Sequence, residues 1–177
     1  MRAVSFLSAL GVLSSLAASA AAQDTPQNWQ ACFGSKPTYS LTQQVAGCTA
    51  AINAGTATPA NLATAFNNRG VTYAAQKDYV RAIADYDQAI RLEPHEAVFF
   101  ENRGLAELKL KRLQSAFADY NTAIRLDGKS AYGYYGRGVT ALRLGRTAEG
   151  KADIALAKRL DASVAKDFPT FPSHHRK

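Results

Sequence analysis

Gly70, Gly104 and Gly138 stand 34 residues apart, and a whole pattern travels with them. An Arg precedes each one (Arg69, Arg103, Arg137). A small residue follows twelve positions later (Ala82, Ala116, Gly150), and then, at fixed phases, an Asp (Asp85, Asp119, Asp153), an Ala (Ala89, Ala123, Ala157) and a Leu (Leu92, Leu126, Leu160). A constant period of this length describes a stacked array, in which no unit buries its apolar face alone. It also points away from catalysis, because what an array builds is a surface.

Each unit reads as two helices joined by a short turn. In the first, a helix is expected over 63–76, with Phe66, Arg69, Gly70 and Tyr73 on one face. Lys77-Asp78 makes the turn, and a second helix over 79–92 carries Ala82, Ile83, Tyr86, Ala89 and Ile90 at helical spacing until Pro94 stops it. The units run over 63–96, 97–130 and 131–164. A mid-helix Gly costs about 1 kcal/mol against Ala. The same cost at one phase of all three units implies a close helix crossing. Ala82, Ala116 and Gly150 are the expected small partners, with Tyr86, Tyr120 and Ile154 filling the space between pairs. The recurring Arg and the Asp sixteen residues after it are expected to pair; the alternative is an Arg that snorkels to water.

The order Phe66, Gly70, Tyr73, Ala82, Tyr86, Ala89, Pro94 resembles the tetratricopeptide repeat (TPR) family. The second unit repeats it with Phe100, Gly104, Ala116, Tyr120 and Ala123, placing Gly128 where Pro is usual. The third keeps Tyr134, Gly138 and Ala157 and departs at Gly150, Ile154 and Ala162. The resemblance implies an all-α fold: an α-solenoid of three TPR helix pairs, a right-handed superhelix whose first helices line a concave groove. It implies a non-catalytic scaffold for protein–protein interaction that binds a peptide or protein segment. By family geometry the groove residues are Asn67, Val71, Glu101, Asn102, Leu105, Lys109, Tyr132, Tyr135, Val139 and Arg143. Such a mix suits a helix or extended peptide with apolar anchors; alternatively Val71, Leu105 and Val139 only assist stacking. Some TPR domains grip a C-terminal carboxylate with two Lys, two Asn and an Arg. The matching phases here hold Asn67, Val71, Asn102, Tyr132 and Gly136, of which only Asn102 agrees, so that clamp is not expected.

The ends differ from the array. A basic start, a short apolar run from Ala3 to Leu16 and the small residues through Ala22 read as a secretory signal over 1–22. Its removal leaves twenty Lys and Arg against fourteen Asp and Glu, a net +6. The expected location is the periplasm or the exterior. Residues 23–60 form an N-terminal half-repeat cap, with one helix over Leu41 to Asn53 and Ser40 as its N-cap. Cys48, Ala51 and Ile52 align with Tyr86, Ala89 and Ile90 if four residues are inserted in the following loop, and the segment from Trp29 to Tyr39 stands in for a degenerate first helix. In an exported chain Cys32 and Cys48 are expected to form one disulfide, worth about 3 kcal/mol for a loop of about 15 residues; the alternative is two buried thiols. Exported bacterial members of the family resemble this layout. The array occupies 61–168 and a flexible tail 169–177, and Phe168 and Phe171 either fold back over the last apolar face or leave it open for a weak homodimer or a partner.

Charge is unevenly placed. Lys77, Arg81, Lys109, Lys111, Arg112, Arg143, Arg146 and Lys151 project from one edge, whereas Glu93, His95, Glu96 and Asp127 lie on the other. The alternative function is therefore an envelope-associated structural subunit, docking a basic edge on an anionic envelope surface or packing end to end. A solvated, solubilising face accounts for the same charges. His95, His174 and His175 do not stand at metal-ligand spacing, no nucleophile elbow or phosphate loop occurs, and no cofactor, metal or nucleic-acid partner is expected.

Overall fold

The computed structural model describes residues 26–34 and 39–168. The expected leader over 1–22 and the tail over 169–177, with Phe171, His174 and His175, lie outside them. The described residues form helices joined by short turns: α1 (Pro26–Phe33), α2 (Leu41–Asn53), α3 (Pro59–Ala75), α4 (Tyr79–Leu92), α5 (Ala97–Lys109), α6 (Leu113–Leu126), α7 (Ala131–Arg143), α8 (Thr147–Leu160) and the single turn α9 (Val164–Asp167). No strand occurs among them.

The hairpins α3–α4, α5–α6 and α7–α8 are the three repeat units. Consecutive helices pack against each other, and the first helices also touch in succession, α1 to α3 to α5 to α7. The second helices α2, α4, α6 and α8 do not meet one another. The row therefore curves with the first helices on the inside, as an α-solenoid does. Its core is divided to match. One cluster joins Ala63, Ala89 and Phe99, a second Ala74, Ala82, Tyr86 and Ala106, and a third Leu105, Leu108, Ala116, Tyr120, Tyr132 and Phe168.

The turn inside each hairpin is built the same way. The amides of Asp78, Arg112 and Arg146 bond back to the carbonyls of Tyr73, Glu107 and Ala141, each at 2.9 Å. This is a Schellman closure, which needs a left-handed residue just before the bonded amide. That residue is Gly145 in the third unit, at φ 80°, but Lys77 and Lys111 in the first two, at φ 65° and 61°.

The repeated glycines work differently from expectation. A Cβ on Gly70 would lie 2.6 Å from the Tyr86 ring, so in the first unit the crossing partner is the aromatic rather than Ala82. In the third unit a Cβ on Gly138 would meet both the Ile154 side chain, at 2.8 Å, and the Gly150 carbonyl, at 2.9 Å. Ile154 takes the place of a Tyr there, and the narrower side chain lets the two backbones approach.

At the N-terminus α2 begins at Ser40, whose hydroxyl accepts from the Gln43 amide while Gln43 Oε1 accepts from the Ser40 amide: a capping box. The degenerate first helix of the cap is α1, which starts three residues before the expected Trp29 and ends at Phe33. Cys32 on α1 and Cys48 on α2 are joined by a disulfide, with Cα atoms 4.5 Å apart. α3 starts four residues before the expected position because Thr58 caps it and Pro59 occupies its first turn.

A charged ladder and a concave hollow

Each repeat Arg holds its Asp through two parallel bonds. Arg69 meets Asp85 at 2.8 and 2.8 Å, Arg103 meets Asp119 at 3.0 and 2.6 Å, and Arg137 meets Asp153 at 2.7 and 2.8 Å. The remaining guanidinium nitrogen reaches the preceding second helix: Thr49 from Arg69, Asp87 from Arg103, Asn121 from Arg137. Thr49 falls at the phase of Asp87 and Asn121 under the four-residue insertion, so the ladder starts in the cap. Burial works to lower the Arg103 pKa, but its two carboxylate partners, Asp119 and Asp87, together outweigh it and raise it. Asp119 lies deeper; burial pushes its pKa up, and the single guanidinium that opposes this does not offset it. The third guanidinium bond joins each unit to the second helix before it, and the desolvation of such half-buried pairs offsets much of their attraction.

The inner face does not present all the residues expected on it. Asn67 and Asn102 are fully buried, and the Asn102 amide donates to Asn67 Oδ1 at 2.8 Å. Asn68 likewise donates to the Cys32 carbonyl at 3.0 Å. These amides stitch one first helix to the previous one and are closed to a ligand. Glu101 is also buried; it accepts from the Ser130 hydroxyl, which itself accepts from the Gly133 amide to cap α7. Val71 packs into the stacking core beside Ala74 and Tyr86.

Leu105, Lys109, Tyr135, Val139 and Arg143, together with Leu108, line one hollow of about 250 Å³ on the inner face of α5 and α7. Leu105 is its floor, 1 % exposed, whereas Lys109 and Arg143 are exposed on its rim. Phe168, just after α9, is itself part of this lining, with Ala165. Its ring centroid is 5.0 Å from those of Tyr132 and Tyr135 and 6.3 Å from that of Tyr120. Its carbonyl accepts from the Tyr132 hydroxyl at 2.7 Å. The last segment therefore folds back onto α7 and α8, while Leu142 and Leu160 on the last hairpin stay partly exposed. Fold-back of Phe168 was one of the two outcomes open from the sequence; that it would line the hollow was not legible. The signal was an apolar residue just beyond the last repeat, but a single helical turn has no periodicity to give its direction. The Tyr120 side chain is fully buried between Gly104 and Gly136, and its hydroxyl makes no hydrogen bond among the described residues. Burial drives the Tyr120 pKa well above the phenol range, with Tyr132, Glu101 and Asp119 adding to the effect and Arg143 opposing it.

Other surfaces are less concentrated. A second hollow, about 290 Å³, lies at the opposite edge between Phe33, Thr64, Phe99, Glu93 and Glu96. On the basic edge Arg81 pairs with Asp78 and lies over Tyr73, Arg112 pairs with Glu107, and Arg146 reaches Glu149 and the Phe117 ring. Three of its cations thus have local carboxylate partners, which weakens any long-range field from Lys77, Lys111 and their neighbours. Among the described residues no helix is long and apolar enough to cross a membrane, and no group of three or more His, Cys, Asp or Glu is placed to hold a metal ion.

Comparison with known proteins agrees with this architecture. Tetratricopeptide repeat profiles match residues 63–96 and 98–130. The second TPR of Spaghetti (RPAP3), solved bound to the HSP90 peptide SRMEEVD, is 30 % identical over 56 % of this chain and 92 % of its own, with a TM-score of 0.55. The Arabidopsis OM64 TPR domain is 27 % identical over 63 % of this chain and 94 % of its own, with a TM-score of 0.59. The second TPR domain of human RPAP3, in complex with the HSP70 peptide SGPTIEEVD, is 27 % identical over 63 % and 95 %, with a TM-score of 0.58. No curated protein matches the chain by sequence. Three stacked helix hairpins, the shared profiles and these solved relatives agree: the chain belongs to the tetratricopeptide repeat family.

Proposed function

We propose that this protein is a non-catalytic scaffold that binds a peptide or protein segment in its concave groove, at the hollow between α5 and α7. The observation that carries this reading is the hollow itself. Leu105, Tyr135, Val139 and Phe168 form an apolar seat of about 250 Å³ with cations on its rim. The solved relatives that hold HSP90 and HSP70 peptides support segment binding as the mode. We further propose that the protein is exported. The leader-like sequence supports this, and so does the Cys32–Cys48 disulfide, a bond that persists in oxidising compartments.

Affinity capture from a periplasmic extract tests the groove. Tyr135 is the residue to change, because Leu105 is floor and its truncation would unfold the unit. The Tyr135→Ala variant should lose a partner retained by the wild type, and a Lys111→Glu/Arg112→Glu variant should keep it. Loss with the edge variant and retention with Tyr135→Ala would transfer the function to the basic edge.

A further inference from the structure

We propose that the partner segment is acidic: one of its apolar side chains fills the hollow between α5, α7 and the turn after α8, and a carboxylate beside that side chain bridges Lys109 and Arg143. This rests on the groove reading above and adds to it the chemistry of the partner.

Size sets the first limit. At about 250 Å³ the hollow falls below the roughly 300–1,000 Å³ of small-molecule sites. It suits one side chain of a longer segment rather than a free ligand. Leu105, Leu108, Val139 and Phe168 make its walls apolar. The wall that lies outside the repeats is held in place: Val164 and Phe168 are both buried, and the Phe168 carbonyl accepts from the Tyr132 hydroxyl. A seat already fixed in shape costs little ordering when a segment binds.

Charge sets the second limit. Lys109 and Arg143 line the same hollow, are exposed, and form no salt bridge among the described residues. They end α5 and α7, where a cation also answers the helix dipole. The dipole alone does not account for them, because α3 has Ala75 at the same phase and no basic residue in its last turn. Of the three first helices, only the two that border the hollow carry a cation there. Elsewhere on the basic edge, Arg81, Arg112 and Arg146 have carboxylates of their own. The second hollow, beside Phe33 and Phe99, carries Glu93 and Glu96 instead. An acidic segment is therefore drawn to one hollow and repelled by the other, although the two are similar in size.

The test uses the full chain and a fluorescein-labelled peptide, Gly-Ser-Asp-Leu-Glu-Ser-Gly amide, followed by anisotropy at low salt. One control peptide replaces its Leu by Ser, and another replaces its Asp and Glu by Lys. The wild type should bind the acidic Leu peptide about tenfold or more tightly than either control. Added salt should weaken that binding severalfold. A Lys109→Glu/Arg143→Glu variant should reverse the preference, so that the Lys peptide becomes the tighter ligand. Lys111→Glu/Arg112→Glu makes the same change in net charge away from the hollow and should leave the preference as it was. Ala165→Trp reads the other half of the proposal without touching charge. It fills the hollow from a half-buried position and should weaken the acidic Leu peptide about tenfold, as removal of the Leu does. Equal binding of the acidic and Lys peptides by the wild type, equal effects of the two charge-reversed variants, or no binding of the acidic peptide at millimolar concentration overturns the proposal. Failure here is distinguishable from failure of the groove reading. A captured partner lost with Tyr135→Ala, yet kept by Lys109→Glu/Arg143→Glu, leaves the groove standing and removes the acidic segment.

Discussion

Lys77 and Lys111 hold a backbone conformation that Gly145 holds at the same step of the third hairpin. A side chain in that left-handed region costs about 1 kcal/mol relative to Gly. Lys111→Gly should therefore raise stability by about 1 kcal/mol and Gly145→Lys should lower it by a similar amount, measured by urea unfolding. The ladder makes a pH prediction. Asp119 has a raised pKa in the folded state, chiefly from burial. The folded state then binds a proton more readily there than the unfolded chain does, so this rung gains stability as pH falls through the folded pKa. Wild type should gain on an Asp119→Asn variant as the pH drops from neutral toward 4, and a wild type that instead loses ground would contradict the assignment. The Arg–Asp pairing was legible in the sequence because both partners recur at one spacing. The burial of Asn67, Glu101 and Asn102 was not. Helical phase names the face on which a residue lies, but not how closely the next helix approaches that face.

Among the elements, the cap and α9 show where periodicity helps and where it ends. The equivalence of α2 to α4, α6 and α8 could be read through a four-residue insertion, and the Arg69–Thr49 bond places it at the atomic level. The bounds of α1 were not legible, because an eight-residue helix fixed by a disulfide and by the Asn68–Cys32 bond has little pattern of its own. The disulfide replaces part of the packing that a full first helix would supply. It closes a loop with a sequence separation of 16. Its removal by a Cys32→Ser/Cys48→Ser variant should cost about 3 kcal/mol. Hydrogen exchange should show that loss concentrated in α1, α2 and the start of α3, leaving α7 and α8 protected. Uniform loss of protection across the chain would mean that the cap and the array unfold as one unit.

For the molecule as a whole, the first helices meet and the second helices do not, and that asymmetry makes an inner face. The array was legible from the 34-residue period alone. That Phe168 would help line its inner face was not, because that residue lies outside the period. The central claim is that the hollow between α5 and α7 is where a partner segment binds. It is tested most directly by nitrogen-15 NMR of the labelled protein titrated with the partner recovered by affinity capture. Amide shifts should concentrate at Leu108, Lys109, Tyr135, Val139, Arg143 and Phe168. Shifts confined to the Lys77, Lys111 and Arg146 turns, with those residues unmoved, would contradict it.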